Sequence, residues 1–397
     1  MGQKTLSSGQ AVALVGAMQF VYILDFMMVM PLGPDLAKAL GVAPDRLPWM
    51  SAAYTAAAVL SGLLSIRLLD RFDRKPAVLL TFGLLAVATV AGAWAVDQWT
   101  LFIARALTGL FGGPALALGM AIVIDSTPPQ ERGQAISRTM LGFSVAAIGG
   151  VPLALELARL GGWTLPFYAV AAMAALVWLA LALILPSMRE HMGRDAAVSP
   201  RTLLARPAVQ AACLVQGLTQ FSAFLVIPNF SAYFLLNLGY PREHLGMLYF
   251  VGGITAMVTM LGLGRLVDRA GPFPGLLLTT ISVAVGMTPL FGLHVLPLML
   301  AFMMFMAGNA GRGVTLAAVT SQVPQPYERA GFMSLQGLVQ NLAIALASVV
   351  SSQLLTTLSD GKLGNMPTVA FLTVLCSLGV LGALSLLTRR IGQTVAA

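Results

Sequence analysis

Arg67-Leu68-Leu69-Asp70-Arg71-Phe72-Asp73-Arg74-Lys75 interrupts two long apolar runs, and a related segment, Gly264-Arg265-Leu266-Val267-Asp268-Arg269-Ala270-Gly271, interrupts two more. Asp70 and Asp268 lie 198 residues apart, close to half of the 397-residue chain. A second landmark repeats at nearly the same interval: Pro129-Gln130-Glu131-Arg132-Gly133 and Pro326-Tyr327-Glu328-Arg329-Ala330, with Glu131 and Glu328 197 residues apart. Two unrelated landmarks sharing one period indicate two similar halves. On this reading 1–186 is the N-terminal half, 187–206 a polar linker and 207–397 the C-terminal half.

The runs between the landmarks set the fold class. Hydrophobic residues make up 58% of the chain and charged residues only 10%, against about 25% charged in ordinary globular proteins. Mean hydropathy is +0.85. A soluble helical bundle would need polar outer faces, and most of these runs have none. A hydrocarbon core takes ~20 apolar residues per helix. Twelve stretches qualify: roughly 10–32, 47–69, 76–96, 99–124, 134–156, 164–186, 208–236, 244–267, 273–293, 296–320, 331–357 and 367–388. The predicted fold is an all-α membrane protein with twelve transmembrane helices in two six-helix halves. The first run is too long for the core of a signal peptide and is expected to remain as a span.

The net charge of +8 does not point to nucleic acid. No basic stripe with interleaved aromatics occurs, and position matters more than the sum. Sixteen Lys and Arg fall in alternate loops and the termini, five in the other loops, and Arg105 and Arg312 inside spans. That asymmetry predicts an inner (plasma) membrane protein with both termini cytoplasmic. Cys213 and Cys376 lie in opposite halves and offer neither a disulfide framework nor a metal spacing. His191, His244 and His294 are scattered, and no phosphate-cradling Gly-x-x-x-x-Gly-Lys-Ser/Thr is present. The reading is of no enzyme, no cofactor and no metal, with a small solute, protons and the lipid bilayer as partners and a monomer as the expected state.

Six spans plus six, a basic central linker and a Gly-x-x-x-Asp-Arg-x-Gly element after the second span of each half resemble the major facilitator superfamily. Gly264, Asp268, Arg269 and Gly271 fit that element. The first-half copy departs from it, with Ile66 and Asp73 at the two glycine positions. Asp visits the left-handed region more readily than most residues, so the turn is expected to survive at Asp73. Two stretches look like the drug–proton antiporter and arabinose-efflux branch: Leu24-Asp25-Phe26-Met27-Met28-Val29-Met30-Pro31-Leu32, and Ile148-Gly149-Gly150-Val151-Pro152-Leu153. In the latter, Gly149 and Gly150 would let a neighbouring helix approach and Pro152 would bend the rod. A packing kink unrelated to transport direction is the alternative.

The resemblance implies alternating access, with spans 1, 4, 7 and 10 lining a central cavity. Charges at mid-bilayer are costly and need a reason. Asp25 is the only acid deep inside any span, and Arg105 in span 4 sits at nearly the same depth. The functional reading makes Asp25 a proton-exchanging carboxylate controlled by Arg105; the alternative is a permanent ion pair locking span 1 to span 4. Asn309 and Arg312 share a face of span 10 among glycines, as for an acceptor-rich or anionic solute; a gate or a snorkelling arginine is the other reading. Gln216 and Gln220, one turn apart on span 7, are further substrate candidates, although amides in lipid are more often interhelical partners. Tyr22 and Phe26 suggest an apolar cavity wall. The Asp-Arg segments read as a gate latch formed by Asp70, Arg71, Arg74, Asp125, Gly264, Asp268, Arg269 and Gly271. The resemblance implies that Asp70 meets the positive N-terminal end of span 11, and Arg71 or Arg74 is expected to pair with Asp125. The function expected is proton-coupled export of a small organic solute or drug; a proton symporter or facilitator for a sugar or other metabolite is the rival.

Overall fold

The computed structural model of the chain describes residues 6–68, 72–128, 130–189, 200–293, 295–325 and 328–396. Its contacts gather into two units, Met1–Asp195 and Ala196–Ala397. The first unit holds α1 (Ser8–Met28), α2 (Pro48–Leu68), α3 (Arg74–Ala93), α4 (Gln98–Asp125), α5 (Arg132–Gly161) and α6 (Thr164–Ile184). The second holds α7 (Pro207–Asn237), α8 (Leu245–Ala270), α9 (Pro272–Gly286), α10 (Leu298–Thr320), α11 (Arg329–Leu354) and α12 (Met366–Ala396). Ten of these are long and apolar enough to cross a membrane. The other two complete the set for identifiable reasons. Helix α9 stops after 15 residues and continues into a 3-10 turn, Thr288–Phe291. Helix α10 is 23 residues long, but Asn309, Arg312 and three glycines lower its hydropathy. A two-residue hairpin, Thr356–Thr357 with Leu363–Gly364, joins α11 to α12.

The duplication is written in the packing of each unit. In the first, α4 packs on α2 and α3, α6 on α3 and α1, and α5 on α1. In the second, α10 packs on α8 and α9, α12 on α9 and α7, and α11 on α7. Leucines such as Leu64, Leu176, Leu183 and Leu261 lie exposed on helix surfaces, the arrangement expected where the surrounding medium is hydrocarbon. The helix starts are conventionally capped. Ser7 and Gln10 form a capping box on α1, and Asp97 and Thr100 form one on α4.

Proline shapes two helices. Just before Pro152, α5 widens into a π-turn over Ala146–Gly150; proline lacks an N–H and clashes with the preceding turn, which the wider turn accommodates. Likewise α7 passes from α-helix to a 3-10 turn at Ile227–Asn229, containing Pro228, and then to a π-turn at Tyr233–Asn237. The close approach expected of the glycine pair rests on Gly150 alone. A Cβ there would lie 2.9 Å from Leu24 Cδ1, whereas Gly149 faces open space.

The two Asp-Arg segments turn differently. Gly271 ends α8 at φ 81°, a conformation that glycine adopts freely. The left-handed turn expected at Asp73 does not form: Asp73 has φ −56° and caps α3, its carboxylate accepting from the Lys75 amide. Capping in extended geometry is the stronger preference of an aspartate at a helix start. Gly264 meets no neighbour within 4 Å of a Cβ position, so the second segment makes no close helix contact there. Asp70 and Arg71 lie outside the described residues.

Candidate functional site

Asp25 on α1 is fully buried. Its Oδ2 accepts from Arg105 Nη1 at 2.9 Å, and its main-chain carbonyl accepts from Arg105 Nη2 at 3.0 Å. Thr89 Oγ1 on α3 donates to Asp25 Oδ1 at 3.0 Å. Helices α1, α3 and α4 therefore meet at one carboxylate. From α2, Tyr54 lays its ring under the guanidinium, with Arg105 Cζ 4.7 Å from the ring centroid, a favourable cation–π placement. Tyr22 and Phe26 pack on the same ring, at centroid distances of 5.8 and 5.0 Å. The structure brings Asp25 and Arg105 together as the sequence leads one to expect, and Tyr22 and Phe26 pack beside them on Tyr54.

One face of α4 makes this possible. Arg105, Gly109 and Gly112 follow the i, i+4, i+7 spacing of a single helix stripe. A Cβ on Gly109 would fall 1.9 Å from the Tyr54 carbonyl oxygen, and one on Gly112 would fall 2.5 Å from the Tyr22 ring. The glycines bring α4 onto α2 and α1, and Arg105, one turn along, reaches the carboxylate.

The geometry tolerates either charge state of Asp25. A hydroxyl both donates and accepts, so Thr89 can donate to a carboxylate or accept from a carboxylic acid without leaving its place. Arg105 Nη2 keeps its main-chain acceptor in both cases. Thr89 and Tyr54 were not singled out from the sequence; a lone hydroxyl and a lone phenol inside apolar spans were the only signals.

The second unit holds a different arrangement. Arg312 on α10 is fully buried, which excludes a snorkelling side chain. Its Nη1 donates to Ser222 Oγ on α7 at 3.0 Å and to Ser377 Oγ on α12 at 2.9 Å; its Nη2 donates to Asn309 Oδ1 at 2.9 Å. Among the described residues no carboxylate lies within 4 Å of it, and Nε has no acceptor. The pairing of Asn309 with Arg312 was legible from their spacing; Ser222 and Ser377 were not. Gln216 Nε2 donates to Gln340 Oε1 at 3.0 Å, bridging α7 to α11, which is the interhelical role weighed against ligand contact. Gln220, a turn further along, is partly buried.

At the end of the bundle carrying the charged loops, Arg74 Nε pairs with Asp125 Oδ2 at 3.4 Å. Asp73 gathers Ser187 Oγ, the Met188 amide at 2.9 Å and Arg189 Nε at 3.0 Å. Burial works to raise the Asp73 carboxyl, but the bonds from Ser187, Met188, Lys75 and Arg189 outweigh it and hold the group below its usual range. In the second unit, Asp268 and Arg269 are exposed, while Glu328 of the other landmark pairs with Arg206.

Two duplicated six-helix units, each with charge buried deep in apolar helices, form the architecture of a multi-pass membrane protein. The chain belongs to the Major Facilitator Superfamily, whose family model matches residues 15–348. It is 27% identical over 257 residues to the inner membrane transport protein YdhP of Escherichia coli (strain K12), a match covering 62% of this chain and 64% of that one. It is 24% identical over 241 residues to a probable sugar efflux transporter of Helicobacter acinonychis (strain Sheeba), covering 59% and 60% respectively. The chain thus spans less than two thirds of the length of these curated relatives. A solved D-xylose–proton symporter superposes with a TM-score of 0.76 at 16% identity, over 94% of this chain and 96% of that one. At that identity the likeness is one of fold.

Proposed function

We propose that this protein exports a small organic solute, such as a drug, across the inner membrane in exchange for protons, with Asp25 as the proton-exchanging group and Arg105 as its charge partner. The observation that supports this is the Asp25 site. A fully buried carboxylate is held by one guanidinium, one reversible hydroxyl and no second acid among the described residues. Proton exchange at this carboxylate would be coupled to transport through the distance between Asp25 and Arg105, which are bonded here at 2.9 Å. A relative named as a probable sugar efflux transporter agrees with outward movement.

Alternating access by the two repeats would carry the solute, with both termini cytoplasmic and the protein acting as a monomer. Tyr22, Phe26, Gln216, Gln220, Asn309 and Arg312 are the candidate solute contacts. Asp70, Arg71, Arg74, Asp125, Gly264, Asp268, Arg269 and Gly271 would form the gate latch, in which the Arg74–Asp125 pair is one element.

Solute flux in proteoliposomes, driven by an imposed pH gradient, tests the reading. Asp25→Asn is expected to abolish the dependence on the gradient while leaving solute counterflow measurable. Gradient-driven exchange that persists unchanged in Asp25→Asn removes Asp25 as the proton site. Flux that never responds to pH in the unmodified protein favours a facilitator.

A further inference from the structure

Asp25 and Ser222 lie 197 residues apart, the same interval that separates Glu131 from Glu328. The two landmark intervals, 197 and 198 residues, place the repeat counterpart of Asp25 at Ser222 or its neighbour Ala223. Asp25 and Ser222 each sit on an arginine, although Arg105 and Arg312, 207 residues apart, are not themselves counterparts. In the first unit Asp25 supplies a carboxylate to Arg105. In the second Ser222 supplies only a hydroxyl to Arg312, and the other acceptors, Ser377 and Asn309, are neutral as well. Among the described residues, one unit buries a balanced pair and the other a cation with no carboxylate beside it.

A guanidinium carries five N–H donors on a planar fork. Ser222 and Ser377 occupy Nη1, and Asn309 takes one donor of Nη2. Nε, itself buried and without an acceptor, and the remaining donor of Nη2 are left over, on nitrogens that share one edge of the fork. That edge matches a carboxylate in bidentate geometry. Arg105 also leaves Nε unoccupied, but its charge is already neutralised by Asp25. Charge, more than donor count, sets the second site apart. Isolated buried charges are strongly disfavoured and call for a partner.

We propose that the missing partner comes with the substrate, which carries a single carboxylate that binds the Nε and Nη2 edge of Arg312. This rests on the reading of the chain as a solute transporter and names the class of solute. A monoanion fits better than a dianion. One cation cancels one charge, and no second cation lies beside Arg312 among the described residues.

The test uses the purified full-length protein in detergent. Thermal unfolding is followed during titration with a series of monocarboxylates (acetate, benzoate, 3-phenylpropionate and octanoate), each beside its neutral amide. At least one acid is expected to stabilise the protein in a saturable way while its amide does not. Arg312→Gln should weaken that response on the order of tenfold or more, the scale for truncating one member of a buried charge pair, and Arg312→Lys should recover part of it. If Arg312→Gln fails to fold, Ser222→Asp serves instead. It installs the carboxylate that the first unit already has, and is expected to raise stability without ligand and to abolish the response to acids. Amides as effective as acids, no response to any acid in the series, or an undiminished response in Ser222→Asp would each overturn the proposal. Loss of the acid response with proton-driven flux intact would overturn the substrate class alone. Flux indifferent to pH with the acid response intact would overturn the coupling alone.

Discussion

Gly109 has no room for a methyl group. A Cβ would sit 1.9 Å from a main-chain oxygen of α2, and backbone cannot swing aside as a side-chain tip can. Gly109→Ala must therefore lever α4 away from α2, and Arg105, one turn along, moves with it. A loss of about 1–3 kcal/mol is expected, the usual range for overpacking, and is measurable as a lowered midpoint of thermal unfolding in detergent. Gly382→Ala on α12, where a Cβ meets nothing within 4 Å, should leave the midpoint unchanged or raise it. Asp25, Arg105 and Arg312 could be found from the sequence because a charge among apolar residues is conspicuous. Thr89, Tyr54, Ser222 and Ser377 could not. Hydroxyls are common in membrane helices and satisfy themselves on the preceding turn, as Thr108 does with the Ala104 carbonyl at 2.7 Å. Only three-dimensional proximity distinguishes those that also reach a charge.

At the scale of the element, the start of α3 shows a small motif changing its purpose. Where the second segment uses Gly271 to turn, the first uses Asp73 to hold Ser187, Met188 and Arg189. Those bonds keep the folded carboxyl below its ordinary value. Their contribution is therefore complete above the unfolded value of about 3.9 and is lost as pH falls toward the folded one. Asp73→Asn still caps a helix but gives up the charged bonds. It should unfold at a lower temperature than the parent at pH 7, with the gap narrowing below about pH 4. An equal gap at both pH values would show that the Asp73 charge contributes nothing. Helix identities were legible from hydropathy, yet helix interiors were not. The π-turn of α5 precedes Pro152 and the 3-10 turn of α7 contains Pro228, and a proline in a sequence says that a helix is disturbed without saying how.

Across the whole molecule, the twin landmarks carried the architecture, because a 197-residue interval fixes two units whatever lies between them. The duplicated packing partners, α4 on α2 and α3 and α10 on α8 and α9, follow from that interval. Where the halves diverge in chemistry, at Asp25 against Ser222, the duplication itself gave no warning. The distribution of Lys and Arg makes one further prediction at this scale. Fluorescent-protein and alkaline-phosphatase fusions at either terminus should report the same, cytoplasmic, side. A phosphatase-active fusion at one end would break the assignment.

The unequal chemistry of the two units has an electrical meaning. A guanidinium bonded to a carboxylate presents no net charge to a voltage, so displacing the Asp25–Arg105 couple along the membrane normal while Asp25 is ionised moves no current. Arg312, surrounded by hydroxyls and an amide, presents a whole one until a substrate carboxylate joins it. Each elementary charge carried through the full field is worth ~2.3 kcal/mol per 100 mV. A shift of Arg312 through any fraction of that field is correspondingly electrogenic.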